Sequence, residues 1–172
     1  LGEEGAQRSV GVSHRELLAM ALGGGPHTLQ PGDSVAHGAN LSHPIALWEI
    51  WATLLVGARL VVLDAVSMRD TERLPQALEG HALSALALPV ALFHAHADVR
   101  PEAFGGLRLL LIVGDDLASG ALQRVRSESQ PGPERVVKAF MASSQPLFNV
   151  LARLGDEPPG AHLPLGRPRA GT

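Results

Sequence analysis

The 172-residue chain contains no cysteine and no tyrosine, and lysine is nearly absent. Without cysteine, neither a disulfide framework nor a thiolate metal site is possible, and the absence is compatible with the cytoplasm, where such proteins are expected. No run reaches the ~18 uninterrupted apolar residues of a membrane-spanning helix. Leu1-Gly2-Glu3-Glu4 has neither the basic nor the apolar region of a secretory signal, nor an initiator methionine, as expected of a piece of a longer polypeptide. No block of Lys or Arg marks a nucleic-acid footprint, and the net charge is -3, from 14 basic and 17 acidic side chains. What is present, 45% hydrophobic and 18% charged residues, describes a globular chain long enough for one domain with a core. The Ala, Gly, Leu and Arg bias reads as GC-rich coding.

Local patterns predict alternating helices and strands. Ser13-His14-Arg15-Glu16 is a capping box, opening a helix with Leu17, Leu18 and Leu22 on one face that stops at Gly23-Gly24-Gly25-Pro26. Val35 to Ala39 reads as a short strand. Pro44 begins a helix reaching about Leu55, and Arg59 to Leu63 is an apolar strand. A helix over 70–78, a strand over 82–88 and a helix over 90–96 follow. Leu107–Val113 is the longest apolar run and reads as a buried parallel strand, followed by a helix near 119–127 and a strand over 135–140. The class is α/β, with a mainly parallel sheet flanked by helices. One domain over 1–172 is expected: 1–9 as loop, 10–155 as the α/β core, and 156–172 as a Pro/Gly-rich tail.

Five segments carry a family resemblance. His43-Pro44-Ile45-Ala46-Leu47-Trp48-Glu49-Ile50 with Gly57-Ala58-Arg59-Leu60-Val61 is similar to FDxSVWEI…GAxLV. Val12-Ser13-His14-Arg15 looks like VSHR, Leu88-Pro89-Val90-Ala91-Leu92-Phe93 like LPPALF, Leu107 to Asp115 like LRxLLVGGE, and Leu163 to Thr172 like VPIGRPIAGT. In this order and at this spacing they resemble the adenylation domains of nonribosomal peptide synthetases, which activate amino or other acids with ATP and magnesium. The resemblance implies a partial N-terminal subdomain of the adenylate-forming fold. It also implies substrate-pocket positions at Pro44, Ile45, Trp48 and Ala139, and nucleotide-site positions at Gly2, Gly5, Arg8, Phe140 and Ser143.

The departures are systematic. In the family, the residue at position 44 is an Asp that holds the substrate ammonium; here it is Pro44. Burying an ammonium without a carboxylate costs several kcal/mol. The family's phosphate loop keeps its glycines, hydroxyls and a lysine so that backbone N–H groups and charge meet phosphate; here Glu3 and Glu4 replace hydroxyls, and Arg8 keeps the charge. Residues 1–9 are equally readable as a junction to preceding sequence. In the segment matching NAYGPTE, Phe140 retains a ring for stacking and Ser143 a hydroxyl. Met141 replaces a Gly that permits close backbone approach, and Ser144 replaces a magnesium-ligating Glu. The chain also stops before the family's ribose-binding Asp, its hinge and its C-terminal catalytic Lys, a preplaced charge on which the chemistry depends.

Other candidates have ordinary readings. His94-Ala95-His96 with Asp98 reads as solvated histidines at a helix end, since i and i+2 do not share a helix face. Asp115-Asp116 reads as turn and cap chemistry. Trp48 and Trp51 read as core packing, with pocket lining open for Trp48; His14 and His43 read as ordinary histidines. No Ser-His-Asp arrangement or zinc spacing is present. The leading expectation is therefore a non-catalytic pseudo-adenylation domain of a peptide synthetase or hybrid megasynthase. It would bind no cofactor or metal and have no catalytic residue, nucleic acid or membrane partner. It would serve as a structural or docking element for neighbouring domains and a carrier protein. Two alternatives stay open: part of an enzyme adenylating a carboxylic acid without an α-amine, and an interaction module for a carrier or helper protein.

Overall fold

A computed structural model describes residues 11–140, 147–148 and 150–155, with 167–168 as backbone. The sheet follows from the apolar runs. Five strands run parallel: β1 (Ser34–His37), β2 (Arg59–Val62), β3 (Ala85–Pro89), β4 (Leu109–Val113) and β5 (Arg135–Phe140). Two antiparallel strands, β6 (Val150–Leu154) and β7 (Arg167–Pro168), complete the order β2-β1-β3-β4-β5-β6-β7. β4 is buried at every position because helices cover both faces, which is why it reads as an unbroken apolar run.

Alternate residues of each strand feed two cores. Leu86, Leu88, Leu110, Ile112 and Val136 join Phe93, Phe104 and Leu122 on one face. Ala85, Ala87, Leu109, Leu111 and Ala139 join Met20, Trp48 and Phe148 on the other. The first face is covered by α4 (Ala65–Arg69), α5 (Arg73–Gly80), α6 (Val90–Val99) and α7 (Ser119–Glu128), with a 3-10 turn at Pro101–Phe104. The second is covered by α1 (His14–Leu22) and by α2 (Pro44–Leu47), which continues through a π-helical turn (Trp48–Ala52) into α3 (Thr53–Leu55).

The expected capping box is present: Ser13 Oγ accepts from the Glu16 N–H, and the Ser13 N–H donates to Glu16 Oε2 at 2.8 Å. The packing face of α1 differs from expectation. Met20 and Ala21 are buried while Leu18 and Leu22 stand in solvent, because the face that meets the π-helical turn lies a residue out of register with the leucines. Several elements were not expected, α4 and β6 among them. Asp64, read only as a strand end, caps α4 by accepting from the N–H groups of Val66 and Ser67. β6 was hidden because Arg153, the exposed position of an antiparallel strand, interrupts its apolar run. The tail beyond 155 lies outside the described residues apart from 167–168.

Candidate functional site

Strand order reverses between β1 and β3: the chain runs outward from β1 to β2, then returns to the other side of β1 to form β3. In open parallel sheets the crevice at such a reversal, beyond the carboxyl ends of the strands, is the usual ligand position. Two adjoining cavities lie along those ends here. One, of about 150 Å³, is bordered by the loop after β1 (Gly38, Asn40), by Glu49, and by Met68, Arg69 and Leu92. The other, of about 190 Å³, is bordered by Val113, Gly114 and Asp115 after β4 and by Phe140 at the end of β5. His43 and Pro89 line both, so they stand at the junction.

The junction is shaped by the helix start. His43 is the N-cap residue of α2, Pro44 occupies the first turn where its missing N–H costs nothing, and His43 Nδ1 accepts from the Ile45 N–H at 3.2 Å. That bond places the proton of the neutral imidazole on Nε2. Partial desolvation lowers the His43 pKa from its ordinary value near 6.5, which favours the neutral ring. One turn later the π-helical segment brings Trp48, Glu49, Ala52 and Thr53 to the interior together. Glu49 is 1% exposed; its Oε2 meets His37 Nδ1 at 2.6 Å and accepts from the Ala39 N–H at 3.2 Å, while Oε1 has no hydrogen-bond partner among the described residues. Burial pushes the Glu49 carboxyl above its ordinary range, and the bonds from His37, Ala39 and Gly38 pull it back only in part.

The pocket positions named from the sequence fall into one core. Ile45, Trp48 and Ala139 are 1%, 0% and 0% exposed and pack together with Met20, Leu147 and Phe148. Trp48 lines neither cavity, and its indole N–H has no partner among the described residues. Pro44 is half-buried beside them. Of the nucleotide-site positions, Phe140 lines the second cavity; Gly2, Gly5, Arg8 and Ser143 lie outside the described residues, as do Glu3, Glu4, Met141 and Ser144. A nucleotide triphosphate with magnesium fits the described part poorly. Among the described residues lining the second cavity, Phe140 offers a ring, none is Lys or Arg, and Asp115 adds negative charge.

The sequence reading missed the His37–Glu49 pair. Its one readable signal was a carboxylate set inside the apolar run Trp48-Glu49-Ile50-Trp51. The reading of solvated histidines is corrected for His96, which is fully buried with Nε2 3.0 Å from the Met68 carbonyl oxygen; its neighbour His94 accepts from the Ala118 N–H through Nε2. Trp48 is core while Trp51 is 43% exposed. Among the described residues, no helix is long and apolar enough to cross a membrane.

Residues 3–142 match the model of the AMP-binding enzyme family, and the chain belongs to that family. It is similar to malpibaldin synthetase of Mortierella alpina, 29% identical across 99% of this chain and 3% of that protein. The nonribosomal peptide synthetase TES of Alternaria alternata is 26% identical across 96% of this chain and 3% of its own length. Among solved structures, PA1221, an NRPS protein containing adenylation and PCP domains, superposes with a TM-score of 0.72 at 25% identity, over 81% of this chain and 28% of that one. The N-terminal subdomain of Klebsiella oxytoca NpsA in complex with anthranilyl-AMSN superposes with a TM-score of 0.76 over 96% of this chain and 44% of that one; at 19% identity it speaks for the fold alone. The chain is thus an adenylation-domain-like segment spanning a few per cent of the length of these synthetases and less than half of the solved chains.

Proposed function

We propose that this segment performs no ATP chemistry and serves as a structural or docking element within a nonribosomal peptide synthetase or hybrid megasynthase. The observation that carries this reading is the closure of the inherited pocket at Trp48 and Ala139, which are buried in a continuous core and line neither cavity, while Pro44 stands where the family's ammonium anchor would be. An α-amino acid would have to open that core and bury its ammonium uncompensated. Glu3, Glu4 and Ser144, where the family has hydroxyls and a magnesium-binding Glu, add to the support. Its partners are then neighbouring domains of the same cytoplasmic polypeptide, a carrier protein among them, as in PA1221, which contains adenylation and PCP domains. ATP–pyrophosphate exchange by the polypeptide carrying the segment, surveyed across amino, hydroxy and aryl acids, tests the reading. The expected result is no exchange attributable to this segment; loss of an observed exchange on Trp48→Arg would contradict it.

A second reading is part of an enzyme adenylating a carboxylic acid without an α-amine. It is favoured by the open crevice at His43 and Pro89, which leaves room beside the nucleotide-site Phe140 although the Trp48 side is filled. Exchange with an aryl or hydroxy acid, and none with α-amino acids, would establish it in place of the first.

A further inference from the structure

We infer that the outer face of α1, the π-helical turn and α3 is an interface, covered by an apolar layer that the same polypeptide supplies from outside residues 1–172. The helical stretch from Pro44 to Leu55 gives the first reason. Glu49 and Thr53 are its only charged or hydroxyl side chains, and both are buried, 1% and 0% exposed. What it turns outward is Trp51, Leu54 and Leu55, at 43%, 54% and 40% exposed. α1 packs against this stretch and adds Leu18 and Leu22, at 45% and 57%. A helix that is apolar all round belongs to an interior, since its outward side chains have no water-seeking group among them.

The helices on the opposite face of the sheet differ. α5 shows Arg73, Gln76 and Glu79 to solvent, and α7 shows Arg124, Ser127 and Glu128. That layer is finished as an outer surface. The α1–α3 layer is apolar on both sides, as a middle layer is. Single exposed apolar residues are ordinary, but five on three mutually packed elements mark an interaction face. The occupant follows from the length of the fold. This chain matches 44% of the NpsA N-terminal subdomain, so in a protein of this fold the larger part of one folded body lies outside the matched segment. That remainder has to pack on the matched part, and the α1–α3 face is the apolar surface that the described helices leave for it. A second copy of the chain is the rival occupant.

Pyrophosphate exchange decides the reading above; this one rests on that reading's placement of the segment in a longer synthetase, and thiol accessibility decides it. The chain has no cysteine, so a single introduced thiol reports exposure at a chosen place. Leu54→Cys on the face and Val99→Cys on α6 start from similar exposure, 54% and 57%. Each is placed in the polypeptide carrying the segment and treated with a maleimide, and modification is read at that site by mass spectrometry. Leu54→Cys should react at least about tenfold more slowly than Val99→Cys. In the 172-residue chain alone the two should react within about twofold of each other. Equal rates in the longer polypeptide would overturn the inference. So would slow labelling of Leu54→Cys in the isolated chain that speeds up on dilution, which would give the face to a second copy. Leu22→Lys adds an independent sign, because a cation suits the carboxyl end of α1 when that face is wet. The Tm of the isolated chain should stay within about 2 °C, while limited proteolysis within the segment of the longer polypeptide should quicken about tenfold. Unchanged proteolysis there would also overturn the inference.

Discussion

At the amino ends of the parallel strands, Asp33 accepts from Arg108 Nε at 2.6 Å, again from Arg108 Nη2, from Ser84 Oγ at 2.8 Å and from the Gln30 N–H at 2.6 Å. Ser84 Oγ in turn accepts from the Ser34 N–H, and Ser34 Oγ accepts from Arg59 Nε. At the carboxyl ends, the comparable buried carboxylate, Glu49, has an oxygen with no hydrogen-bond partner among the described residues and sits beside open space. Burial opposes ionisation of both. The several hydrogen bonds to Asp33 outweigh burial and hold its carboxyl below the ordinary range, whereas Glu49 stays above it. One end of the sheet spends its polar groups on joining β1, β3 and β4; the other keeps polar groups unspent around a crevice, as a binding end does.

The largest effect should come from the satisfied end. Asp33→Ala strands the Arg108 guanidinium, 15% exposed, and is expected to cost ~3 kcal/mol or more in urea unfolding. A loss below about 1 kcal/mol would erase the contrast between the two ends. Glu49→Gln should cost only ~1 kcal/mol at neutral pH, because the carboxylate it replaces is incompletely paired.

The two carboxylates should also titrate with opposite signs. Asp33, with its folded pKa lowered from 3.8, contributes stability above that value and loses it as pH falls through the folded pKa. Glu49, with its folded pKa raised from 4.5, is favoured in the fold when protonated, so its share of stability falls as pH rises from 4.5 through the folded pKa. The stability of Glu49→Gln relative to wild type should therefore improve as pH climbs from about 4 to 8, while that of Asp33→Asn should improve only on acidification. Parallel pH profiles for the two variants would dissolve the comparison.

Smaller effects sharpen it. A Cβ at Gly38 would lie 2.3 Å from Met68 Cγ and 2.5 Å from its Sδ. Met68 is flexible and borders the cavity, so Gly38→Ala should cost only ~1 kcal/mol as that side chain turns into the free space. A cost near that of Asp33→Ala would mean that the carboxyl end is as rigid as the amino end. Asp98→Ala breaks the exposed pair with Arg124 and should change Tm negligibly, at less than ~0.5 kcal/mol. It gives the baseline against which the buried pairs are measured.

Much of the sheet was legible because parallel strands covered on both faces are largely apolar: Leu109–Val113 lies where its unbroken run places it, and Arg135–Phe140 was readable around Arg135 and the buried Lys138. The helix from Pro44 was legible from proline's tolerance at a first turn. The chemistry of the two ends was not. Asp33 and Arg108 are 75 positions apart, and His37 and Glu49 meet only because β1 delivers one and the π-helical turn the other. The spacing of Leu18 and Leu22 allowed a packing face that tertiary contacts overrode, since Met20 and Ala21 meet the neighbouring helix. Trp48 was readable as core or as pocket lining; its place among Ile45, Ala139 and Phe148 required the fold.

Titration calorimetry of the chain with ATP and magnesium tests the central claim most directly, because it asks whether the carboxyl-end crevice retains its family's ligand. No saturable heat through the micromolar range is the expected result. A micromolar Kd, lost on Phe140→Ala, would contradict it.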